Sequence, residues 1–173
     1  MYQRILVPVD GSPTSQRGLE EALRLARLTG GRLRLIHVVD QLSFALAMDA
    51  YAGDVGDWME VLRKEGTHVL QNATAATLAT GVQVESVLRD NLSRSVQELI
   101  TAEAAEWGAD LMVLGTHGRR GVGRMVLGSS AEQVLRHAPV PVLLVRASDT
   151  PLPVPAQDPA RHVHLPSAAL RIE

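Results

Sequence analysis

A glycine-rich stretch in the second half of the chain carries the densest group of residues suited to ligand binding. It runs from Gly115 to Ser130 and holds five glycines in its first 14 residues. Glycine tolerates positive φ and lets the backbone approach a ligand closely, and successive N–H groups can converge on an anion. The run Gly128-Ser129-Ser130 is typical of a helix start, where unpaired donors and the helix dipole favour phosphate. The stretch therefore predicts a polyphosphate site.

Three arginines, Arg119, Arg120 and Arg124, add positive charge to this stretch. It does not match either common nucleotide motif, because no lysine follows a glycine as in the P-loop and the dinucleotide glycine pattern is incomplete. Kinase, GTPase and dehydrogenase interpretations are thereby weakened. A flexible surface loop is the alternative to a phosphate site.

Apolar runs and stretches of helical spacing alternate along the chain and must position that site. Segments rich in apolar side chains predict strands near residues 5–9, 33–39, 82–88, 111–114 and 139–145, separated by helical spacing near 13–29, 58–80, 96–107 and 129–137. Arg32 and Arg34 suggest that one end of the second strand is exposed to solvent. Alternation without hairpin signals predicts a doubly wound α/β fold, an open five-stranded parallel sheet with helices on both faces. In such sheets ligands bind beyond the carboxyl ends of the strands.

The composition excludes several classes of function. The 173 residues include no cysteine, so disulfides, thiol catalysis and cysteine-ligated metals are excluded. A formal charge of −2 and five aromatic residues argue against a nucleic-acid binder, and the apolar runs are too short to cross a membrane. We expect a soluble cytoplasmic protein with one domain over residues 1–146 and a proline-rich tail or arm over residues 147–173.

The glycine spacing identifies a family resemblance. Gly115, Gly118, Gly128 and Ser129 fit the pattern Gly-x2-Gly-x9-Gly-Ser. In this pattern the chain resembles the ATP-binding members of the universal stress protein family. The likeness extends to residues 5–10, 37–38, 110–115 and 139–145, and therefore spans about residues 1–146.

The resemblance implies a strand order of 3-2-1-4-5, bound ATP, optional Mg²⁺ or Mn²⁺ on the phosphates, and a homodimer through the fifth strand. It places Asp10 near the ribose or a phosphate-bound metal, and the backbone of Val38 against adenine. Asp10 holding its own turn is the alternative. The implied binding residues are Pro8, Val9, Asp10, Val38, Gly115, Thr116, His117, Gly118, Arg119, Arg120, Gly121, Gly128, Ser129 and Ser130.

Three functions are compatible with these residues. The first is a nucleotide-binding stress or signalling protein with little or no hydrolysis, and the second is a slow ATP hydrolase or a phosphoryl or adenylyl transferase. The third is an interaction module that binds no nucleotide. His117 has no carboxylate partner in the stretch, so no general base and no catalytic residue are predicted. The first function is favoured.

Overall fold

A computed structural model describes residues 1–40, 55–90, 94–116 and 128–146. Nine elements alternate along these ranges, as the sequence predicts. The strands are β1 (Arg4–Pro8), β2 (Arg32–Val39), β3 (Val84–Asp90), β4 (Leu111–Gly115) and β5 (Val142–Val145), and the helices are α1 (Pro13–Thr29), α2 (Val55–Leu78), α3 (Val96–Trp107) and α4 (Ser129–His137). The predicted tail, residues 147–173, lies outside the described residues.

The five strands form one parallel sheet in the order β3-β2-β1-β4-β5. The predicted fold class and strand order are both confirmed. β1 lies at the centre, with Pro8 opposite Ile36 of β2 and Ile5 opposite Leu111 of β4. The chain moves outward from β1 to β3 and then returns to the other side of β1, so the strand order reverses between β1 and β4.

Each face of the sheet is covered by two helices. On one face α1 and α2 bury Leu19 and Leu70 against sheet residues such as Ile5 and Val113. On the other face α3 and α4 bury a second apolar cluster that includes Ile100, Trp107, Val134, Leu6 and Met112. The central strands β1 and β4 are thus buried on both sides, which explains why they appear as continuous apolar runs in the sequence.

The ends of α1 follow from its sequence. Ser12 caps the helix by accepting the Ser15 N–H through its Oγ at 3.1 Å, and Pro13 occupies the first turn. Gly30 ends the helix with φ of 70° and donates its N–H to the Ala26 carbonyl. Within the described ranges, no helix combines the length and the apolar character needed to cross a membrane.

The amino end of the sheet holds an arginine cluster that the sequence analysis did not predict. Arg4, Arg32 and Arg34 place their guanidinium carbons 5.0, 5.9 and 4.8 Å from the centre of the Trp107 ring. The sequence suggested a solvent-exposed strand end at Arg32 and Arg34, but both side chains are half-buried here. Stacking on an aromatic face lets an arginine cover apolar surface while its charge stays near water. Trp107 is only 5% exposed and packs within the second apolar cluster.

Glu103 supplies the central negative charge of this region. Its side chain is 1% exposed and accepts hydrogen bonds from Arg34 Nη1 at 2.7 Å and from Arg89 Nε at 2.9 Å. Arg34 also pairs with Glu85. The carboxylate therefore ties α3 to both β2 and β3.

Candidate functional site

The reversal of strand order sets the carboxyl ends of β1 and β4 side by side. α1 leaves β1 toward one face of the sheet, whereas the chain after β4 leads to α4 on the opposite face. This divergence opens a crevice at the carboxyl end of the sheet, where open α/β proteins bind their ligands. The two strand ends, the end of β2 and the start of α4 form its described walls.

The turn after β1 is fixed by short side chains. Asp10 is half-buried, and its Oδ1 accepts the Ser12 N–H at 2.9 Å. Gly11 has a φ of 79°, a conformation that glycine adopts without strain. The turn-holding role of Asp10 that the sequence allowed is therefore present in the structure.

The end of β4 packs closely against α1. A Cβ added to Gly115 would lie 2.9 Å from the backbone carbon and oxygen of Thr14. Only glycine at position 115 lets the first turn of α1 approach the strand this closely. Gly115 therefore has a packing role beside the ligand-binding role predicted for it.

A hydrogen bond closes the segment that follows β4. The Gly128 N–H donates to the Thr116 carbonyl at 2.8 Å, while the Thr116 N–H donates to the Val145 carbonyl at 2.9 Å. Thr116 is buried, and its position is thus fixed by β5 and by the start of α4. The two residues that flank residues 117–127 are therefore in direct contact at the carboxyl end of β4.

The amino terminus of α4 faces this point. Gly128 is its N-cap residue, and the Glu132 N–H donates to the Gly128 carbonyl at 2.9 Å. Ser129 and Ser130 are exposed in the first turn. The first backbone N–H groups of a helix have no acceptor within the helix, so this end attracts anions. The Gly128 N–H is already bonded to Thr116, which leaves the donors of the two serines as the ones suited to a phosphate.

The end of β2 carries a buried histidine that the sequence analysis did not place in the site. His37 is 6% exposed, and its Nδ1 lies 2.7 Å from the carbonyl oxygen of Val9. Val38, the next residue, is half-buried at the same strand end. A histidine alone within an apolar run has no sequence signal for this contact, because its partner lies 28 positions earlier in the chain.

Nine of the predicted binding residues lie within the described ranges, and all nine are found at one end of the sheet. Pro8, Val9, Asp10, Val38, Gly115, Thr116, Gly128, Ser129 and Ser130 all lie at the carboxyl end of β1, β2 or β4, or at the start of α4. His117, Gly118, Arg119, Arg120 and Gly121 lie outside the described residues.

The site has few groups that could hold a metal ion. Among the described residues, no three histidine or acidic side chains are grouped as metal ligands would be. Asp10 is the acidic side chain at the end of β1, and its Oδ1 already accepts a backbone N–H. Mg²⁺ is commonly held by one carboxylate together with substrate phosphates and water. The residues present fit an ion that arrives with a polyphosphate better than a site built by the protein alone.

Comparison with known proteins agrees with this geometry. Residues 1–146 match the model of the universal stress protein family. The chain is 31% identical over 149 residues to universal stress protein MJ0531 of Methanocaldococcus jannaschii, which covers 84% of this chain and 83% of that protein.

Two solved structures extend the comparison. A universal stress protein family member from Burkholderia pseudomallei is 36% identical, with a TM-score of 0.68 over 84% of this chain and 97% of that one. The universal stress protein from Archaeoglobus fulgidus in complex with dAMP is 25% identical, with a TM-score of 0.62 over 83% of this chain and 98% of that one.

Proposed function

The chain belongs to the universal stress protein family, and from this premise we propose that it binds ATP and acts as a nucleotide-dependent stress-response or signalling protein with little or no hydrolysis. The observation that carries the proposal is the hydrogen bond between Thr116 and Gly128, which joins the end of β4 to the start of α4. This bond holds the start of α4 at the carboxyl end of β4, and β4 is the neighbour of β1 at the reversal of strand order. A helix start suited to phosphate and a carboxylate, both at the carboxyl end of the sheet, suit a nucleotide. The relative solved with dAMP supports an adenine nucleotide.

The proposed roles follow the positions of the residues. Pro8, Val9 and Val38 line the end of β1 and β2 and would contact the nucleoside. Asp10 would contact the ribose or a phosphate-bound Mg²⁺ or Mn²⁺, which would neutralise phosphate charge. The phosphates would be held by residues 115–121 together with Gly128, Ser129 and Ser130. The proposed setting is the cytoplasm, where ATP is abundant.

The first test replaces two glycines of the motif. Gly128 has φ of −59° and ψ of 141°, which any residue adopts, so Gly118→Val with Gly128→Val adds side chains at the phosphate site without forcing the described backbone at Gly128. ATP at about 100 times its Kd should stabilise the natural protein by roughly 2.7 kcal/mol, and the double variant should lose this effect. Thermal melts with and without ATP measure it.

Two controls make this test specific. Gly81→Val puts a side chain at a φ of 78° at the other end of the sheet, so it should lower the melting temperature yet keep the ATP-induced rise. Incubation of the natural protein with ATP should yield only trace ADP. An equal ATP-induced rise in the double variant contradicts the binding site, and turnover of about 1 per second that is lost with Gly128→Val contradicts the non-hydrolysing function.

The proposal includes a homodimer through β5. β5 is an edge strand, and its bonds to β4 use Pro141, Leu143 and Val145. Backbone groups of successive residues in a strand point to alternate sides, so the N–H and C=O groups of Val142 and Leu144 point away from β4. A second copy of the chain could pair with these groups.

A proline tests this edge without disturbing the pairing with β4. Val142→Pro removes one outward N–H, which proline at an edge permits. Leu143 and Val145 are less suitable positions, because their backbone groups bond to β4. Light scattering should give about twice the 18.6 kDa chain mass for the natural protein and a shift toward that mass for Val142→Pro. A natural protein that stays monomeric at every concentration contradicts the dimer.

A further inference from the structure

At the candidate site the parallel pairing of β1 and β2 ends with the hydrogen bond between Val9 and Ile36, and among the described residues the next bond of the pattern is missing. The Val9 N–H still donates to the Ile36 carbonyl at 2.9 Å. In a continued parallel ladder the next bond would run from the Val38 N–H to the Val9 carbonyl. Among the hydrogen bonds of the described residues, that bond is absent, and the His37 ring contacts the Val9 carbonyl instead at 2.7 Å.

The protonation of the ring follows from its partner. A carbonyl oxygen only accepts hydrogen bonds, so the Nδ1 of His37 carries the proton and donates it. The imidazole thus takes the place of a backbone donor at this oxygen. The polar group of Val9 stays satisfied while the two strands separate at their carboxyl ends.

α2 holds the ring in this orientation. A Cβ added to Gly66 would lie 2.6 Å from Cδ2 of His37 and 3.0 Å from its Nε2, so the helix backbone packs directly on the imidazole. Gly66 is buried within α2, where glycine is otherwise unfavourable by about 1 kcal/mol relative to alanine. Close packing on His37 accounts for a glycine at this position.

We infer that His37 is a positioning residue that releases the Val38 backbone N–H for an acceptor atom of the bound nucleobase. The inference rests on the proposed nucleotide binding for the identity of the ligand. The His37 ring itself touches Val9 and α2, and acts on the ligand through Val38. A donor with no strand partner at the crevice is one that a ligand can use without breaking a bond of the protein.

Hydrogen exchange on the protein without nucleotide tests the structural half of this inference. Leucine cannot donate, so in His37→Leu the Val9 carbonyl is left for the Val38 N–H, and exchange of that amide should slow by about tenfold relative to Leu35, in line with one added hydrogen bond. Asparagine carries a side-chain N–H near the position of Nδ1, so His37→Asn should retain the fast exchange of the natural protein. Equal exchange at Val38 in all three proteins overturns the inference.

Binding measurements test the functional half. His37→Leu should weaken ATP binding by about tenfold at a temperature where it is folded, and His37→Asn should restore affinity to within about threefold, because one ligand hydrogen bond is worth about 1.4 kcal/mol. Thr77→Val is the matched control: it removes a buried donor to the Ala73 carbonyl at the far end of α2, so it should lower stability alone. Unchanged affinity in folded His37→Leu overturns the positioning role.

The two measurements separate this inference from the function on which it rests. A natural protein that binds no ATP contradicts the proposed function, and the exchange rates of Val38 still decide the role of His37. Failure of asparagine to restore the fast exchange, with the variant folded, assigns the effect to loss of the ring's packing and contradicts the hydrogen-bond account.

Discussion

The two ends of the sheet use polar residues in opposite ways. At the amino end, long arginines stack on Trp107, and Arg34 pairs with Glu85 and Glu103, so charge is balanced within the chain. At the carboxyl end, short side chains fix turns and helix starts, and the first donors of α4 are left facing the crevice. The difference supports the proposal that the amino end contributes stability and that the carboxyl end binds the ligand.

The largest expected effect tests the buried ion pairs of Glu103, which holds Arg34 of β2 and Arg89 of β3. Glu103→Leu leaves Arg34 and Arg89 without their buried partner, and should lower the free energy of unfolding by about 2 to 3 kcal/mol, below the full range for buried pairs because both arginines also reach solvent. The affinity of the folded protein for ATP should not change. Urea denaturation and calorimetric titration measure the two quantities.

Glu106→Ala is the matched control for this variant. Glu106 is exposed and lies 3.7 Å from Arg89, so its loss should change stability by less than about 1 kcal/mol. If Glu103→Leu weakens ATP binding tenfold or more while folded, the division between the two ends of the sheet is wrong.

A smaller effect is expected from glycine substitutions at each end. Gly115→Ala forces a Cβ against Thr14 and should cost about 1 to 3 kcal/mol of stability. It should also weaken ATP binding, because the contact joins the turn after β1 to the end of β4. Gly108→Ala, at a φ of 68° beside Arg4, should cost about 1 to 2 kcal/mol and leave binding unchanged. If Gly115→Ala and Gly108→Ala weaken ATP binding equally, the two ends of the sheet do not differ in their contribution to binding.

The smallest effect concerns acid stability, with one carboxylate at each end. The hydrogen bond from the Ser95 hydroxyl lowers the pKa of Glu98 at the start of α3, and the hydrogen bond from Arg34 lowers the pKa of Glu85 at the amino end. A carboxyl whose pKa is lower in the folded state stabilises the protein above its unfolded pKa, and this stabilisation is lost as the pH falls through the folded pKa. Part of the stability should therefore disappear below about pH 4.5.

Glutamine variants test whether Glu85 and Glu98 cause the loss of stability at acid pH. Glu85→Gln and Glu98→Gln should each lower the melting temperature slightly at neutral pH and flatten its decline between about pH 5 and pH 3. Melting curves recorded at steps of pH measure both slopes. A decline as steep as that of the natural protein in both variants would show that other carboxyl groups cause the acid sensitivity.

The sequence predicted the features that depend on neighbouring residues. Most strands are apolar runs bounded by glycine, proline or a helix cap, and the helices show apolar residues at helical spacing, so the nine described elements were predictable. The contacts of His37 with Val9 and Gly66 were not, because they join three elements in space. The stacking on Trp107 was missed for the same reason, and Arg32 was taken for a residue at an exposed strand end.

The hydrogen bond between Thr116 and Gly128 also bears on how the chain can change during evolution. Because the two flanking residues are already in contact, the sheet and α4 do not depend on the number of residues between them. Chain entropy rises slowly with loop length, by only about 0.6 kcal/mol for each doubling. Insertions and deletions within residues 117–127 are therefore inexpensive for folding, and this segment can diversify in length and charge while the crevice beside it keeps its shape.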